Sequence, residues 1–164
     1  MQVFIMRHGE AALEAASDSA RPLTECGCDE SVQMAAWLNA RGVKIQQVLV
    51  SPYLRAQQTL EKVRQALPLP QDVEVLKTLT PSGDAAMVAC DLQTLAKQGV
   101  SAVLVVSHLP LVGYLVAELC PGICPPMFAT SAIANVEIND QTGSGTLNWQ
   151  FSPSQVVAKA CASN

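Results

Sequence analysis

Two stretches decide the fold: Val3-Phe4-Ile5-Met6-Arg7-His8-Gly9 near the start and Ala102-Val103-Leu104-Val105-Val106-Ser107-His108 later in the chain. Each is a short apolar run that stops abruptly before a histidine. Runs of this length without polar alternation fit strands covered on both faces, as in a parallel sheet. Val48–Val50, stopped by Ser51-Pro52, is a third, and Val73–Leu76 a weaker fourth. The stretches between them have helical spacing. Asp29–Arg41 places Val32, Ala35, Ala36 and Leu38 on one side, and Arg55–Leu67 does so with Leu60, Val63 and Leu67. Asp84–Gln98 carries Met87, Val88, Leu92 and Leu95, and Pro110–Cys120 starts with proline in its first turn. Strands alternating with helices predict an α/β fold, a single-domain, mostly parallel sheet with helices on both faces. Ala132–Ile138 alternates instead, and the polar turn Asn139–Gly145 leads into Thr146–Phe151, which reads as a C-terminal β-hairpin at the sheet edge. The domain is expected over residues 1–152, with 153–164 a partly ordered C-terminal tail.

Composition narrows the function. At 164 residues the chain is one ordinary domain. Its 49% apolar and 15% charged content, against a typical charged share of about 25%, excludes intrinsic disorder. A net charge of −4 and 4% aromatics argue against nucleic-acid binding. No apolar run is long enough for a membrane helix, and the start lacks the basic residues of a signal peptide. A cytoplasmic protein is expected, with the six cysteines (Cys26, Cys28, Cys90, Cys120, Cys124, Cys161) as reduced thiols. The cysteine spacings do not match a zinc site, and both histidines have another use, so no metal and no cofactor are expected.

That use lies at the strand ends. In an open α/β sheet, ligands bind beyond the carboxyl ends of the strands. The chain has 2 histidines, His8 and His108, and each directly follows a strand. Arg7 precedes the first, and Arg55 follows the Ser51-Pro52 end of another. Singly, each has an ordinary structural use: a satisfied histidine, or an arginine paired with Glu10. Together, two imidazoles and two guanidiniums gather at one crevice. Guanidiniums match the oxygens of a phosphate, and a histidine serves as nucleophile or acid–base. The set fits phosphoryl transfer without a metal, because the arginines supply the charge clamp. No glycine-rich Walker loop is present.

Four segments carry a family resemblance. Phe4-Ile5-Met6-Arg7-His8-Gly9 resembles the R-H-G signature of the histidine phosphatase (phosphoglycerate-mutase-like) superfamily. Arg21-Pro22-Leu23-Thr24-Glu25-Cys26-Gly27 is similar to its L-T-x-x-G segment. Ser51-Pro52-Tyr53-Leu54-Arg55-Ala56-Gln57-Gln58-Thr59 is similar to its S-x-x-x-R-A-x-Q-T motif, and Ser107-His108 to its second histidine. The resemblance implies that His8 is the nucleophile and carries a transient phosphate. Arg7, Arg55 and His108 would bind the phosphoryl oxygens, His108 mainly as a charged donor. Arg21, in the loop after the first strand, is a further candidate for substrate binding.

Two departures from the family pattern bear on the substrate. Many members place a carboxylate after the third strand to protonate a leaving alcohol; Leu79-Thr80-Pro81-Ser82-Gly83 has none. Asp18, Glu10 and Asp84 are the carboxylates that could fold inward instead. Relatives that close over sugar phosphates carry a long insertion there, but only about seven residues separate Lys77 from Asp84, a routine connection with no lid subdomain. Both departures favour a phosphorylated histidine on another protein. An imidazole leaves readily without an acid, and an open site admits a protein surface. The expected activity is protein phosphohistidine phosphatase. The expected partner is a phosphohistidine-bearing signalling protein, either a sensor-kinase (His-containing) phosphotransfer domain of a phosphorelay or a phosphocarrier. The chain is expected to be monomeric, with no nucleic-acid or membrane partner. The alternatives are a small-metabolite phosphomonoesterase and a catalytically silent phosphate-binding adaptor.

Overall fold

The computed structural model describes residues 1–162. Six strands form one sheet in the order β3-β2-β4-β1-β5-β6: β1 (Gln2–Arg7), β2 (Gln47–Val50), β3 (Glu74–Val75), β4 (Ala102–Ser107), β5 (Ile133–Ile138) and β6 (Gly145–Phe151). β3, β2, β4 and β1 run parallel, while β5 is antiparallel to β1 and β6 to β5. The hairpin therefore occupies the sheet edge, as the sequence predicts.

Side-chain alternation divides the core into two layers. Val3 and Ile5 of β1 and Val103 and Val105 of β4 face α3 (Ala85–Lys97) and α4 (Leu111–Leu119), with Leu92, Leu111 and Leu115 buried among them. Phe4, Met6, Leu104 and Val106 face the other way, toward α1 (Glu25–Ala40) and α2 (Leu54–Ala66), against Met34, Leu38, Leu60 and Val63. Both faces of the central strands are covered, so β1 and β4 are apolar at every interior position. Among the described residues no helix is long and apolar enough to cross a membrane.

Two elements differ from the sequence reading. α1 begins at Glu25, a turn before the expected Asp29, because the Thr24 side chain caps it by accepting from the Gly27 N–H at 3.1 Å. The expected tail is a helix through most of its length, α5 (Pro153–Ala162), with residues 163–164 outside the described ones. α5 packs against α1 and buries Val156. Ser152-Pro153-Ser154-Gln155 explains its start: proline takes the first helical position and Gln155 Oε1 accepts from the Ser152 N–H at 2.9 Å. Burial of Val156 then holds the helix in place.

Candidate active site

Strand register assembles the site. Arg7 pairs with Ser107 across β1 and β4, and Val50 with Val106 across β2 and β4. The ladder continues past the strands: the His8 N–H donates to Ser107 O at 2.9 Å and the Ser51 N–H to Val106 O at 3.1 Å. Three strand ends thus stop side by side, and His8, Ser51 and His108 project from them. The His8 and His108 rings lie 5.0 Å apart.

Gly9 and Gly27 explain two of the glycines in the quoted motifs. α1 passes so close to the end of β1 that a Cβ on Gly9 would stand 2.7 Å from Gly27 O and 2.9 Å from Ser31 Oγ. A Cβ on Gly27 would collide with Glu10 O. The close approach fixes the backbone on which His8 sits. Thr59 of α2 locks it from the other side, accepting from the Gly9 N–H at 2.9 Å while donating to Arg55 O at 2.7 Å.

His8 is buried, and two contacts define its tautomer. Nδ1 donates to Gly9 O at 2.7 Å, and Nε2 accepts from Arg55 Nε at 3.3 Å. Only a neutral ring with hydrogen on Nδ1 satisfies both. Burial first, and then the nearby Arg55 and Arg7 guanidiniums, push its pKa down to about 4 against the opposing pull of the Gly9 carbonyl. Nε2 is therefore unprotonated at neutral pH, its lone pair engaged only by the long Arg55 N–H bond, the form a nucleophile needs.

His108 is equally buried. Its Nε2 shares a 2.7 Å hydrogen bond with Ser51 Oγ, and the Tyr53 ring meets it edge-on with centroids 5.1 Å apart. Burial, then His8 and Arg55, lower its pKa to about 3. The ligand-free ring is thus neutral, and the charged donor that the family resemblance implies requires the added anion of a bound phosphoryl group to raise this pKa. Desolvation among cations outweighs the Asp18 charge, which pulls the other way.

The guanidiniums surround this pair. Arg55, buried beneath the Tyr53 ring with its Cζ 5.0 Å from the centroid, donates Nη1 to Asp18 O at 2.6 Å and Nη2 to Asp18 Oδ2 at 3.2 Å. Arg7 donates Nη1 to Phe128 O at 2.8 Å. Arg21 donates Nε to Ala12 O at 2.6 Å and Nη1 to Asp18 Oδ1 at 3.0 Å, so it joins the set through Asp18 while lying close enough to His8 to influence its protonation. Arg7, His8, Arg55 and His108 are thus gathered at one place, with Arg21 at the rim.

Of the three candidate carboxylates, only Asp18 turns inward. Glu10 Oε1 accepts from Thr24 Oγ1 at 3.0 Å, and Asp84 caps α3 by accepting from the Met87 N–H at 3.1 Å. Arg21 and Arg55 hold the Asp18 carboxyl below its usual range, so it stays ionised and is not a proton donor at neutral pH. Among the described residues no carboxylate hydrogen-bonds either histidine. The segment from Lys77 to Asp84 is a short 3₁₀ turn (Lys77–Leu79) and the Asp84 cap, so no lid covers the site from that side. Sequence reasoning did not assign Ser51, Thr59 or Tyr53, although all three lie within the quoted Ser51–Thr59 segment.

Comparison with known proteins agrees with this geometry. A sequence model of the histidine phosphatase superfamily (branch 1) matches residues 3–80. A phosphohistidine phosphatase, SixA of Escherichia coli, is 64% identical over 98% of this chain and 99% of its own. A SixA homolog of Haemophilus influenzae is 42% identical over 93% of this chain and 97% of its own. The solved structure of the protein histidine phosphatase SixA complexed with tungstate superposes with a TM-score of 0.92 at 64% identity, covering 94% of this chain and 98% of that one.

Proposed function

The chain belongs to the histidine phosphatase superfamily, and from that premise we propose that it is a protein phosphohistidine phosphatase acting through a phosphorylated His8. One observation carries the proposal: His8 Nε2 is held unprotonated toward Arg55, whose Nε–H it accepts, with Nδ1 tied to Gly9 O. A second supports it. Of three buried polar side-chain atoms without a partner among the described residues, Arg7 Nε and His108 Nδ1 belong to the site, and Thr78 Oγ1 does not. Arg7 Nε is a donor, and His108 Nδ1 is one in the tautomer whose Nε2 accepts from Ser51 Oγ; buried donors left unsatisfied are costly unless a ligand completes them, and phosphoryl oxygens are suitable acceptors.

In the first step His8 Nε2 attacks phosphorus, and the P–N bond to the substrate imidazole breaks. The bonding pair returns to the substrate ring, which already bears hydrogen on its other nitrogen and leaves as neutral histidine. Arg7, Arg55 and His108 hold the equatorial oxygens as charge redistributes. In the second step water attacks the phosphorus on His8. A P–O bond forms, the P–Nε2 bond breaks with its pair returning to His8, and the water proton leaves with inorganic phosphate. Among the described residues no carboxylate hydrogen-bonds His8 or His108 to serve as a general acid, which suits an imidazole leaving group better than an alkoxide. The lack of a lid in the Lys77–Asp84 segment suits a side chain presented by a phosphotransfer domain of a phosphorelay or by a phosphocarrier. SixA, the 64% identical relative, is a phosphohistidine phosphatase by name, and its structure is complexed with tungstate, a tetrahedral oxyanion.

The test is a competition. A ³²P-labelled phosphohistidine protein, an aryl phosphate and a sugar phosphate are compared by kcat/KM, with acid-labile label on His8 sought after rapid quench. The phosphohistidine protein is expected to lead by orders of magnitude. First place for the sugar phosphate would mean a hidden acid and a metabolite phosphomonoesterase.

A further inference from the structure

In the ligand-free site an anion already lies between the guanidiniums. Asp18 offers one carboxylate oxygen to each of two arginines, Oδ1 to Arg21 Nη1 at 3.0 Å and Oδ2 to Arg55 Nη2 at 3.2 Å. This is the arrangement in which two oxygens of a phosphoryl group meet paired guanidiniums. The two sides are unequal in mobility. The Arg55 side chain is 5% exposed, whereas that of Asp18 is 57% exposed on the short 3₁₀ turn Asp18–Ala20. The Asp18 carboxylate borders solvent into which it can turn, and the Arg55 side chain has almost none.

The carboxylate is not what aims Arg55. The Asp18 backbone oxygen takes Nη1 at 2.6 Å, and His8 Nε2 takes Nε at 3.3 Å, so Arg55 stays oriented when the carboxylate leaves. What the carboxylate adds is charge. The Asp18 charge also pulls the protonation of His108 upward, so its influence extends beyond its two arginines.

We propose that Asp18 is a displaceable internal anion that makes the site discriminate against free phosphate and small phosphoesters in favour of phosphoryl groups carried on a protein. The proposal rests on the reading of this cluster as a phosphoryl site. A small dianion must expel Asp18 using only its own contacts with the cations, and with no lid from the Lys77–Asp84 segment it has few others. A phosphohistidine on a protein surface brings additional contact area that offsets the expulsion. The same competition speeds product release, because Asp18 returns as inorganic phosphate leaves. A cluster of cations without a competing anion would otherwise remain occupied by its own product.

The experiment measures the Kd of inorganic phosphate at fixed ionic strength by calorimetry for the full chain, Asp18→Asn and Asp18→Ala. Both substitutions are at an exposed turn position and keep the backbone oxygen that holds Arg55. Loss of a partly exposed competing charge should tighten phosphate binding about two- to fivefold in both variants. The kcat/KM for p-nitrophenyl phosphate should rise relative to that for a phosphohistidine protein. Unchanged phosphate affinity overturns the proposal. Weaker binding in both variants also overturns it, because Asp18 would then be a residue that only positions Arg55. Absence of millimolar phosphate binding in all three proteins would refute the phosphoryl site itself, and the proposal with it.

Discussion

Lowering the pH should unfold this protein through two imidazoles, and the size of the effect follows from their surroundings. In the unfolded chain each histidine takes up a proton near pH 6.5. In the folded chain His8 resists protonation down to about 4 and His108 down to about 3. Between pH 6.5 and those values the unfolded state binds protons that the folded state refuses. The histidine contribution to stability is therefore complete above about pH 6.5 and is lost as the pH falls toward the folded values. Each pH unit crossed costs about 1.4 kcal/mol per histidine. By pH 4 the pair should cost on the order of 5 kcal/mol, somewhat under the simple sum because part of the His108 shift arises from a charged His8. A domain has only about 5–15 kcal/mol in total. Urea unfolding between pH 7 and pH 4.5 measures the effect, followed by the fluorescence of Trp37 and Trp149, whose rings meet at 5.2 Å. The control is the double variant His8→Asn/His108→Gln, which keeps every carboxylate and removes both imidazoles. Its stability should fall much less steeply over pH 6.5 to 4.5. Parallel curves for the two proteins would refute the claim that the site suppresses histidine protonation.

Arg55→Lys should lower kcat about 10²–10³-fold, because an ammonium cannot at once face His8 Nε2, Asp18 O and a phosphoryl oxygen; wild-type kinetics would place Arg55 outside the chemistry. Gly9→Ala should cost about 1–3 kcal/mol of stability and shift the carbonyl that holds His8 Nδ1, since the new Cβ meets Gly27 O at 2.7 Å. Thermal unfolding and the ¹⁵N shifts of the His8 ring measure both effects, and an unshifted tautomer would contradict the assigned role of that carbonyl. Activity should survive EDTA and gain nothing from added Mg²⁺ or Zn²⁺, because guanidiniums take the place of a metal clamp; loss on chelation with recovery on metal addition would overturn that mechanism.

What the sequence makes legible, and what it hides, follows physical lines. β1, β2 and β4 are legible because strands covered on both faces are apolar throughout, and little else in the chain is. His8 and His108 stand out because histidine is scarce here and each follows such a strand. Ser51 is hidden by contrast. A serine at a strand end has many uses, and its bond to His108 exists only once β2 and β4 pair in this register. The inward turn of Asp18 depends on a loop closed by the Ala11–Leu23 bridge, which no periodicity announces. The neutral state of His108 is also invisible in sequence, because it comes from burial among cations collected from distant segments. α5 is different: Ser152-Pro153-Ser154-Gln155 is a readable start signal, and it is easily passed over because the polar, alanine-rich stretch after it resembles a tail.

The position of β1 in the middle of the sheet has a consequence for biosynthesis. Its hydrogen-bonded neighbours are β4 and β5, the first about 100 residues further along the chain and the second later still. As the polypeptide emerges from the ribosome, the apolar Val3-Phe4-Ile5-Met6 segment must wait for most of the chain to be translated before either edge is covered. During that interval it is a bare strand of the kind that recruits other chains. Because His8 and His108 directly follow these two strands, closure of the β1–β4 ladder covers one edge of β1 and brings the histidines together in one event, and β5 then covers the other edge. Regain of phosphatase activity after dilution from denaturant therefore reports the slow, long-range pairing of the sheet rather than the earlier formation of its helices.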